Sequence, residues 1–421
     1  MKKIKVFVLA DSPLAPSGVA GQTRYMIEGL LRTGKFQFVC FGGAIKHPNY
    51  DPIKIEGYGD DWIIYPVDGY GSQDKVRSAL QTHRPDIMWI MTDPRFWPWL
   101  WDIENEIRSV VPLVYYHVWD NFPPPRFNAP FYESNDLIAT ISKVTDDIVS
   151  LVSPNVPRIR IPHTTNTEIF KKLPDSEVIE FRRNNKLAYK KNGDKKFIFF
   201  WNNRNARRKQ SGTILWWFSE FLDIIGRDNA TIIMHTEPKD PNGQDLEAIM
   251  IETKMTDGET LLSVNKMPLH DLAMLYNVAD CTINIADAEG FGLGTLESLS
   301  CETPIIVNMT GGLQEQVTNG EEWFGIGIEP SSKSVIGSQD VPYIYEDRIA
   351  KKDFLEALEK MYNMSEEERR DLGRRGRKHV LGVYGFEKYI NTWDEVLTKV
   401  HNEGGSWETR NHKSWEMVEM K

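Results

Sequence analysis

Asp280-Cys281-Thr282-Ile283-Asn284-Ile285-Ala286-Asp287-Ala288-Glu289-Gly290-Phe291-Gly292-Leu293-Gly294-Thr295-Leu296-Glu297 is the stretch around which the rest of the chain is organised. An alternating apolar run over 282–286 predicts a strand that ends in an acidic, glycine-rich loop. A helix is predicted to start near Leu293. Strand, loop and helix in succession form the repeating unit of a parallel α/β sheet. The loop brings together backbone N–H groups, the positive end of a helix and two carboxylates. Phosphate is attracted to the first two. Sugar hydroxyls are attracted to carboxylates, which accept several hydrogen bonds at once. The stretch therefore reads as a site for a sugar joined to a diphosphate.

A chain of 421 residues exceeds what one hydrophobic core usually holds, so two domains are expected. The formal charge of −10 argues against a protein that coats nucleic acid through bulk charge, while leaving room for a local basic groove. Cys40, Cys281 and Cys301 are few, odd in number and set among apolar residues. They imply no disulfide framework and suit a reducing compartment. The opening Lys2-Lys3-Ile4-Lys5-Val6-Phe7-Val8-Leu9-Ala10 is too short for a secretory signal and runs straight into a Pro/Gly loop. It reads as a first buried strand. No window approaches a membrane span, so a soluble, cytoplasmic protein is expected.

Strand and helix patterns alternate along the whole chain, which predicts an α/β fold with parallel sheets. Strands are expected at 5–10, 36–41, 86–92, 113–117, 137–142 and 158–162, with helices at 22–32, 73–83 and 144–152. These make one doubly wound domain over 1–165. The chain then turns polar and basic over 166–195, which reads as a crossing between domains. A second series starts at 197, with strands at 230–235, 261–264, 281–285 and 304–307 and helices at 211–225, 269–276 and 293–300. A second domain is expected over 196–385, followed by a C-terminal helix and loosely held tail over 386–421. Ser365-Glu366-Glu367-Glu368 predicts a capped helix start.

The loop Asp11-Ser12-Pro13-Leu14-Ala15-Pro16-Ser17-Gly18-Val19-Ala20-Gly21 separates a strand from a helix, so Gly18 and Gly21 could let backbone approach a phosphate. Its glycine spacing is not that of the dinucleotide fingerprint. By itself it reads equally as a plain turn. Phe200-Trp201-Asn202-Asn203-Arg204-Asn205-Ala206-Arg207-Arg208-Lys209 is more informative. Arg204 leaves the end of a buried strand and Lys209 stands at the mouth of the next helix. Two fixed cations at the carboxyl end of a sheet strand suit a diphosphate. They would also stabilise the charge that builds on it when its bond to a sugar breaks. Arg207 and Arg208 read as solvated. Glu289 in the loop and Glu297 in the helix are placed to hold different parts of one ligand, although Glu297 also reads as an acid favoured near a helix start.

Glu289-Gly290-Phe291-Gly292 through Glu297, with Glu302-Thr303-Pro304-Ile305-Ile306-Val307 and Gly311-Gly312-Leu313-Gln314-Glu315, resembles the signature of retaining glycosyltransferases of family 4. Arg204 with Lys209 is similar to that family's arginine–lysine pair. Asn265-Lys266-Met267-Pro268-Leu269-His270-Asp271-Leu272 resembles its base-binding turn. The segment Ile161-Pro162-His163-Thr164-Thr165-Asn166-Thr167-Glu168-Ile169-Phe170 resembles the one that closes its first domain.

The resemblance implies the GT-B fold: two Rossmann-like domains facing a cleft, with the C-terminal helix returning to the N-terminal domain. It implies a nucleotide-diphosphate sugar as donor, a UDP-sugar first, and no metal. Arg204 and Lys209 would hold the diphosphate. Glu289 and the backbone of Gly290, Phe291 and Gly292 would hold the sugar. Glu297 would hold the ribose, Thr295 the phosphate end and Lys266 the region of the base. Gly21 would close over the diphosphate from the first domain, and His117 would stand near the transferred sugar or be structural. The sequence departs from the family in a long Pro-rich first loop, in Asn202-Asn203 where a glycine is usual, and in an apparent insertion over 322–345.

The acceptor is expected on the first domain, where Pro94-Arg95-Phe96-Trp97-Pro98-Trp99-Leu100-Trp101 and Trp119-Asp120-Asn121-Phe122-Pro123-Pro124-Pro125-Arg126-Phe127 are rich in aromatic residues. Such residues with arginines stack on sugars or bases, or simply pack. The chain also resembles glycosyltransferases of large phages, some of which modify hydroxymethylated bases in DNA. That likeness makes modified DNA one acceptor class and a cell-surface or other glycan another. A sugar-nucleotide epimerase or hydrolase and a non-catalytic binding module are the remaining alternatives.

Overall fold

Phe197-Ile198-Phe199-Phe200-Trp201 is buried along its whole length. A run apolar on both faces requires a sheet covered on both sides, and parallel sheets meet that requirement. The computed structural model describes residues 2–412 and divides into two units. The first holds the chain up to His163, Ser338–Pro342 and the residues from Glu387 on; the second holds Thr164–Gly337 and Tyr343–Phe386.

In the first unit, β1 (Ile4–Asp11), β2 (Phe36–Gly43), β3 (Ile53–Lys54), β4 (Trp62–Pro66), β5 (Ile87–Met91), β6 (Leu113–His117), β7 (Leu137–Thr140) and β8 (Arg158–Arg160) form one sheet in the order β3-β4-β2-β1-β5-β6-β7-β8. It is parallel except for the β3–β4 pair. Residues from Glu387 on in the C-terminal helix Phe386–Gly404 pack within this unit. Trp393 meets the rings of Trp89 and Tyr116 edge-on, with centroids 5.8 and 5.0 Å away. Past that helix, the Arg410 guanidinium donates to Asp136 at 2.8 Å.

In the second unit, β9 (Phe197–Asn202), β10 (Ala230–His235), β11 (Thr260–Ser263), β12 (Cys281–Asn284), β13 (Ile305–Asn308) and β14 (Gly325–Ile328) form an all-parallel sheet in the order β11-β10-β9-β12-β13-β14. Each unit is thus Rossmann-like. A separate antiparallel pair, β15 (Ser332–Ile336) and β16 (Ile344–Arg348), overlaps the stretch read as an insertion and runs past its end at 345.

Several local expectations change. Ser17 caps the helix Gly18–Arg32, its hydroxyl accepting from the Ala20 N–H at 3.1 Å. Gly21 therefore lies in a first helical turn and not in a loop. The segment 166–195 is part of the second unit and not a crossing. Phe170 and Ala188 are buried in one core cluster with Phe200 and Tyr276. The Arg182 guanidinium, from the basic run, is buried and donates to the carbonyls of Ala188 and Lys196 at 2.8 and 2.6 Å. A polar-looking sequence thus hid a structural cation. Strands β3, β4, β14, β15 and β16 were not anticipated; β15 and β16 carry mixed polar residues because little of either is buried. Residues 413–421 of the expected tail lie outside the described residues. Among the described residues, no helix is long and apolar enough to cross a membrane.

Candidate active site

From β9 the chain moves to β10 and β11 on one side, then crosses to β12, β13 and β14 on the other. This reversal opens a crevice outside the carboxyl ends of β9 and β12, the place where open α/β sheets bind ligands. The basic loop after β9 and the acidic loop after β12 both start there. At its centre Lys209 and Glu289, both buried, form an ion pair through Nζ and Oε2. Asn284 at the end of β12 adds an amide donor to the same oxygen at 3.3 Å. Burial pushes the Glu289 carboxyl up, but Lys209 and Arg208 outweigh it, and the group lies below the ordinary glutamate value. Glu289 is therefore an anion at neutral pH, an acceptor only, suited to hydroxyl donors.

The loop is held by its neighbours. Arg208 donates to the Ala288 carbonyl and accepts, through its own carbonyl, the Asp287 N–H at 2.8 Å. Gln210 donates to Asp287 at 2.5 Å; burial nonetheless raises the Asp287 carboxyl to about 6. From the other side Gln316 donates to the carbonyls of Phe291 and Gly292 at 2.7 and 3.2 Å and accepts the Thr295 hydroxyl at 2.6 Å. The Gly312 N–H reaches the Glu289 carbonyl at 3.1 Å. Gly311 is obligatory, because a Cβ there would fall 1.8 Å from that carbonyl oxygen. Gly292 caps the helix Leu293–Ser300 with φ of 91°, a left-handed conformation. The β15–β16 hairpin also bears on the loop. Asp347 donates its N–H to the Asp287 carbonyl at 2.9 Å, and buried Glu346 receives Arg207. Arg207, read as solvated, is thus a structural partner of the hairpin.

Glu297 is partly buried in the helix that follows, and the Tyr276 hydroxyl donates to its Oε2 at 2.8 Å. Burial raises the Glu297 carboxyl to about 7, against the opposing effect of that hydrogen bond. Asn202, at the end of β9, donates to the Tyr276 oxygen at 2.8 Å. Tyr276 and Asn202 carried no signal in sequence, since one reads as helix core and the other as a departure from a glycine.

Arg204 makes a two-point pair with Asp240 at 2.6 and 3.1 Å and remains exposed. The guanidinium holds Asp240 down at about 2. Lys266 is exposed in the loop after β11. The Thr295 hydroxyl is occupied by Gly292 and Gln316, and its backbone N–H lies in the first turn of the helix. Within the second unit, Lys209, Glu289, Gly290, Phe291, Gly292, Thr295 and Glu297 are brought together; Arg204 stands at the mouth of the loop that carries Lys209.

Gly21 and His117 lie in the first unit. His117 has no exposed surface; its Nε2 pairs with the Tyr132 hydroxyl at 2.7 Å, and burial lowers its imidazole to about 3. The Nε2 contact is what the structural alternative expects, while the buried Nδ1 has no hydrogen-bond partner among the described residues. In the aromatic segments Trp97, Trp101 and Trp119 pack inward at no more than 5% exposed, and Arg95 is paired with Asp93 at 2.9 Å. These three tryptophans are core, because large aromatic surfaces gain most from burial, whereas Phe96 in the same stretch is 44% exposed.

Residues 258–379 match the family model described as glycosyl transferases group 1. A 53-residue stretch is 43% identical to the D-inositol 3-phosphate glycosyltransferase of Streptosporangium roseum and spans 13% of this chain and 12% of that protein. Over nearly the whole chain the fold is similar to the sucrose-phosphate synthase of Thermosynechococcus elongatus, with a TM-score of 0.74 at 15% identity, covering 96% of this chain and 100% of that one. It is also similar to HepE of Anabaena in complex with UDP and glucose, with a TM-score of 0.68 at 13% identity, covering 94% and 100%. The fold is α/β with two Rossmann-like domains, as in GT-B proteins, and together with the matched segment it supports a glycosyltransferase. That segment contains both glutamates and Gln316; Arg204 and Lys209 lie before it.

Proposed function

We propose that the protein is a retaining glycosyltransferase of family 4 type that moves a sugar from a nucleotide-diphosphate sugar to an acceptor hydroxyl. The observation that carries this reading is the convergence at one switch point of the buried Lys209–Glu289 pair, the start of the helix Leu293–Ser300 and a second glutamate, Glu297. In this reading the diphosphate lies against Lys209, Arg204 and the N–H groups of the helix start, including that of Thr295. Glu289 and the backbone of Gly290, Phe291 and Gly292 take the sugar hydroxyls, and Glu297 takes the ribose. Lys266 stands by the base. The bond between the anomeric carbon and the diphosphate oxygen breaks, and the charge left on the diphosphate meets preorganised cations. The acceptor oxygen attacks from the same face and gives its proton to the departing phosphate, so no protein nucleophile is needed.

A UDP-sugar is the first donor to test, since HepE is described in complex with UDP and glucose. Burial of Trp97, Trp101 and Trp119 takes three aromatic rings away from a flipped base, while Phe96 stays exposed, so glycans, small polyols and modified DNA are all acceptor classes to test. The names of the sucrose-phosphate synthase and of the inositol phosphate enzyme are consistent with small acceptors. Thermal stabilisation by a panel of nucleotide sugars identifies the donor. Transfer to polyols, oligosaccharides and hydroxymethylated DNA then identifies the acceptor, and the anomeric configuration of the product, read by NMR, tests retention. An inverted product rejects the retaining mechanism. Full transfer by both Glu297→Gln and Lys209→Ala rejects the site.

A further inference from the structure

We infer that Asn202 and Tyr276 are positioning residues that aim Glu297 at the donor's ribose and so let the site distinguish ribonucleotides from 2′-deoxyribonucleotides. This rests on the reading of Glu297 as the ribose-binding group. A phenol has one proton to give. The Asn202 amide N–H points at the Tyr276 oxygen at 2.8 Å, so that oxygen accepts there. The phenolic proton is thereby committed to Glu297 Oε2, also at 2.8 Å. Among the described residues no other hydrogen bond reaches the Glu297 carboxyl, which leaves Oε1 as the acceptor available to a ligand hydroxyl.

The three residues come from three elements: the end of β9, the helix Leu269–Val278 and the helix Leu293–Ser300. Their register is held by close approach. A Cβ at Gly294 would lie 3.0 Å from the Asn202 carbonyl oxygen and 3.2 Å from the Tyr276 hydroxyl. The Tyr276 ring is fully buried, meeting the rings of Phe170 and Phe200 edge-on, so its hydroxyl has a fixed origin. A carboxylate tied at one oxygen by a rigid donor keeps one orientation, which is what discrimination between one hydroxyl and none requires.

The polarity of this relay is testable. Asn202→Asp keeps the shape but turns a donor into an acceptor that competes for the phenolic proton; Tyr276→Phe removes the hydroxyl. Dissociation constants are measured by calorimetry for UDP, GDP and ADP and for their 2′-deoxy counterparts, with circular dichroism to check the fold. The unaltered protein is expected to prefer a ribonucleotide. Both variants are expected to lose about tenfold of that preference while their affinity for the deoxy form stays within roughly twofold. An unaltered preference in both variants overturns the inference alone, as does equal weakening toward both sugars. Failure of the unaltered protein to bind any of the six overturns the reading of the site itself, and the inference with it.

Discussion

Removing the ammonium of Lys209 should do more damage than removing the whole ion pair. Its side chain and that of Glu289 are only 10 and 11% exposed, so each charge depends on the other. In Lys209→Met the Glu289 carboxylate stays buried, with an amide from Asn284 at 3.3 Å and the positive field of Arg208 to compensate it. Stranding one partner of a buried pair costs about 3–5 kcal/mol. At roughly 2–4 °C per kcal/mol for a unit of this size, the melting transition should fall by about 6–20 °C. In Lys209→Met/Glu289→Gln both charges are gone, and most of that loss should return.

The pH dependence has a definite sign. In the parent, Glu289 lies below its unfolded value, so it contributes stability above that value and loses it as pH falls through the folded one. In Lys209→Met the carboxyl is pushed up by burial, so acidification protonates it and narrows the gap to the parent. Calorimetric scans across the pH range check this. A single variant as stable as the parent at neutral pH, or a double variant no better than the single, would refute the reasoning. Transfer activity should fall sharply in both variants, because on the proposed reading each leaves the diphosphate with Arg204 as its one remaining side-chain cation.

Glu297, raised to about 7, takes up a proton on folding between the ordinary glutamate value and that pH, so it makes stability fall as pH rises through this interval. Glu297→Gln should flatten that slope in urea titrations while weakening nucleotide binding. Gly311→Ala places a methyl 1.8 Å from the Glu289 carbonyl oxygen at a backbone φ of 49°, and should lower the melting temperature and donor affinity together. Gln316→Ala takes from the Phe291 carbonyl the amide donor at 2.7 Å, while Thr295 and Gly292 keep their mutual bond, a loss of about 1–3 kcal/mol in denaturant titration. His117→Asn should destabilise the first unit, since its buried ring loses the Nε2 contact with Tyr132; an unchanged donor KM would support a structural role and a raised one a role at the sugar.

The sequence by itself determined the fold class and half of the site. Apolar runs such as 197–201 and 281–285 bury through their own pattern, and a glycine-rich loop between a strand and a helix creates a phosphate-facing end without help from distant residues. Lys209, Glu289 and Glu297 were legible for that reason: each sits on an element whose local sequence specifies it. Only the tertiary structure decided what those groups are paired with. That Lys209 meets Glu289, 80 residues away in sequence, follows from the placing of β9 beside β12. Local pattern also could not separate a buried aromatic from a stacking platform, nor a solvated arginine from one held by Glu346. Those distinctions depend on which surfaces meet, and that is set by sheet order and by close approaches such as Gly311 against Glu289. Arg182, Trp97 and His117 went inside because the packed units left them no water. Asn202 and Tyr276 acquired a role because three elements converge on Glu297.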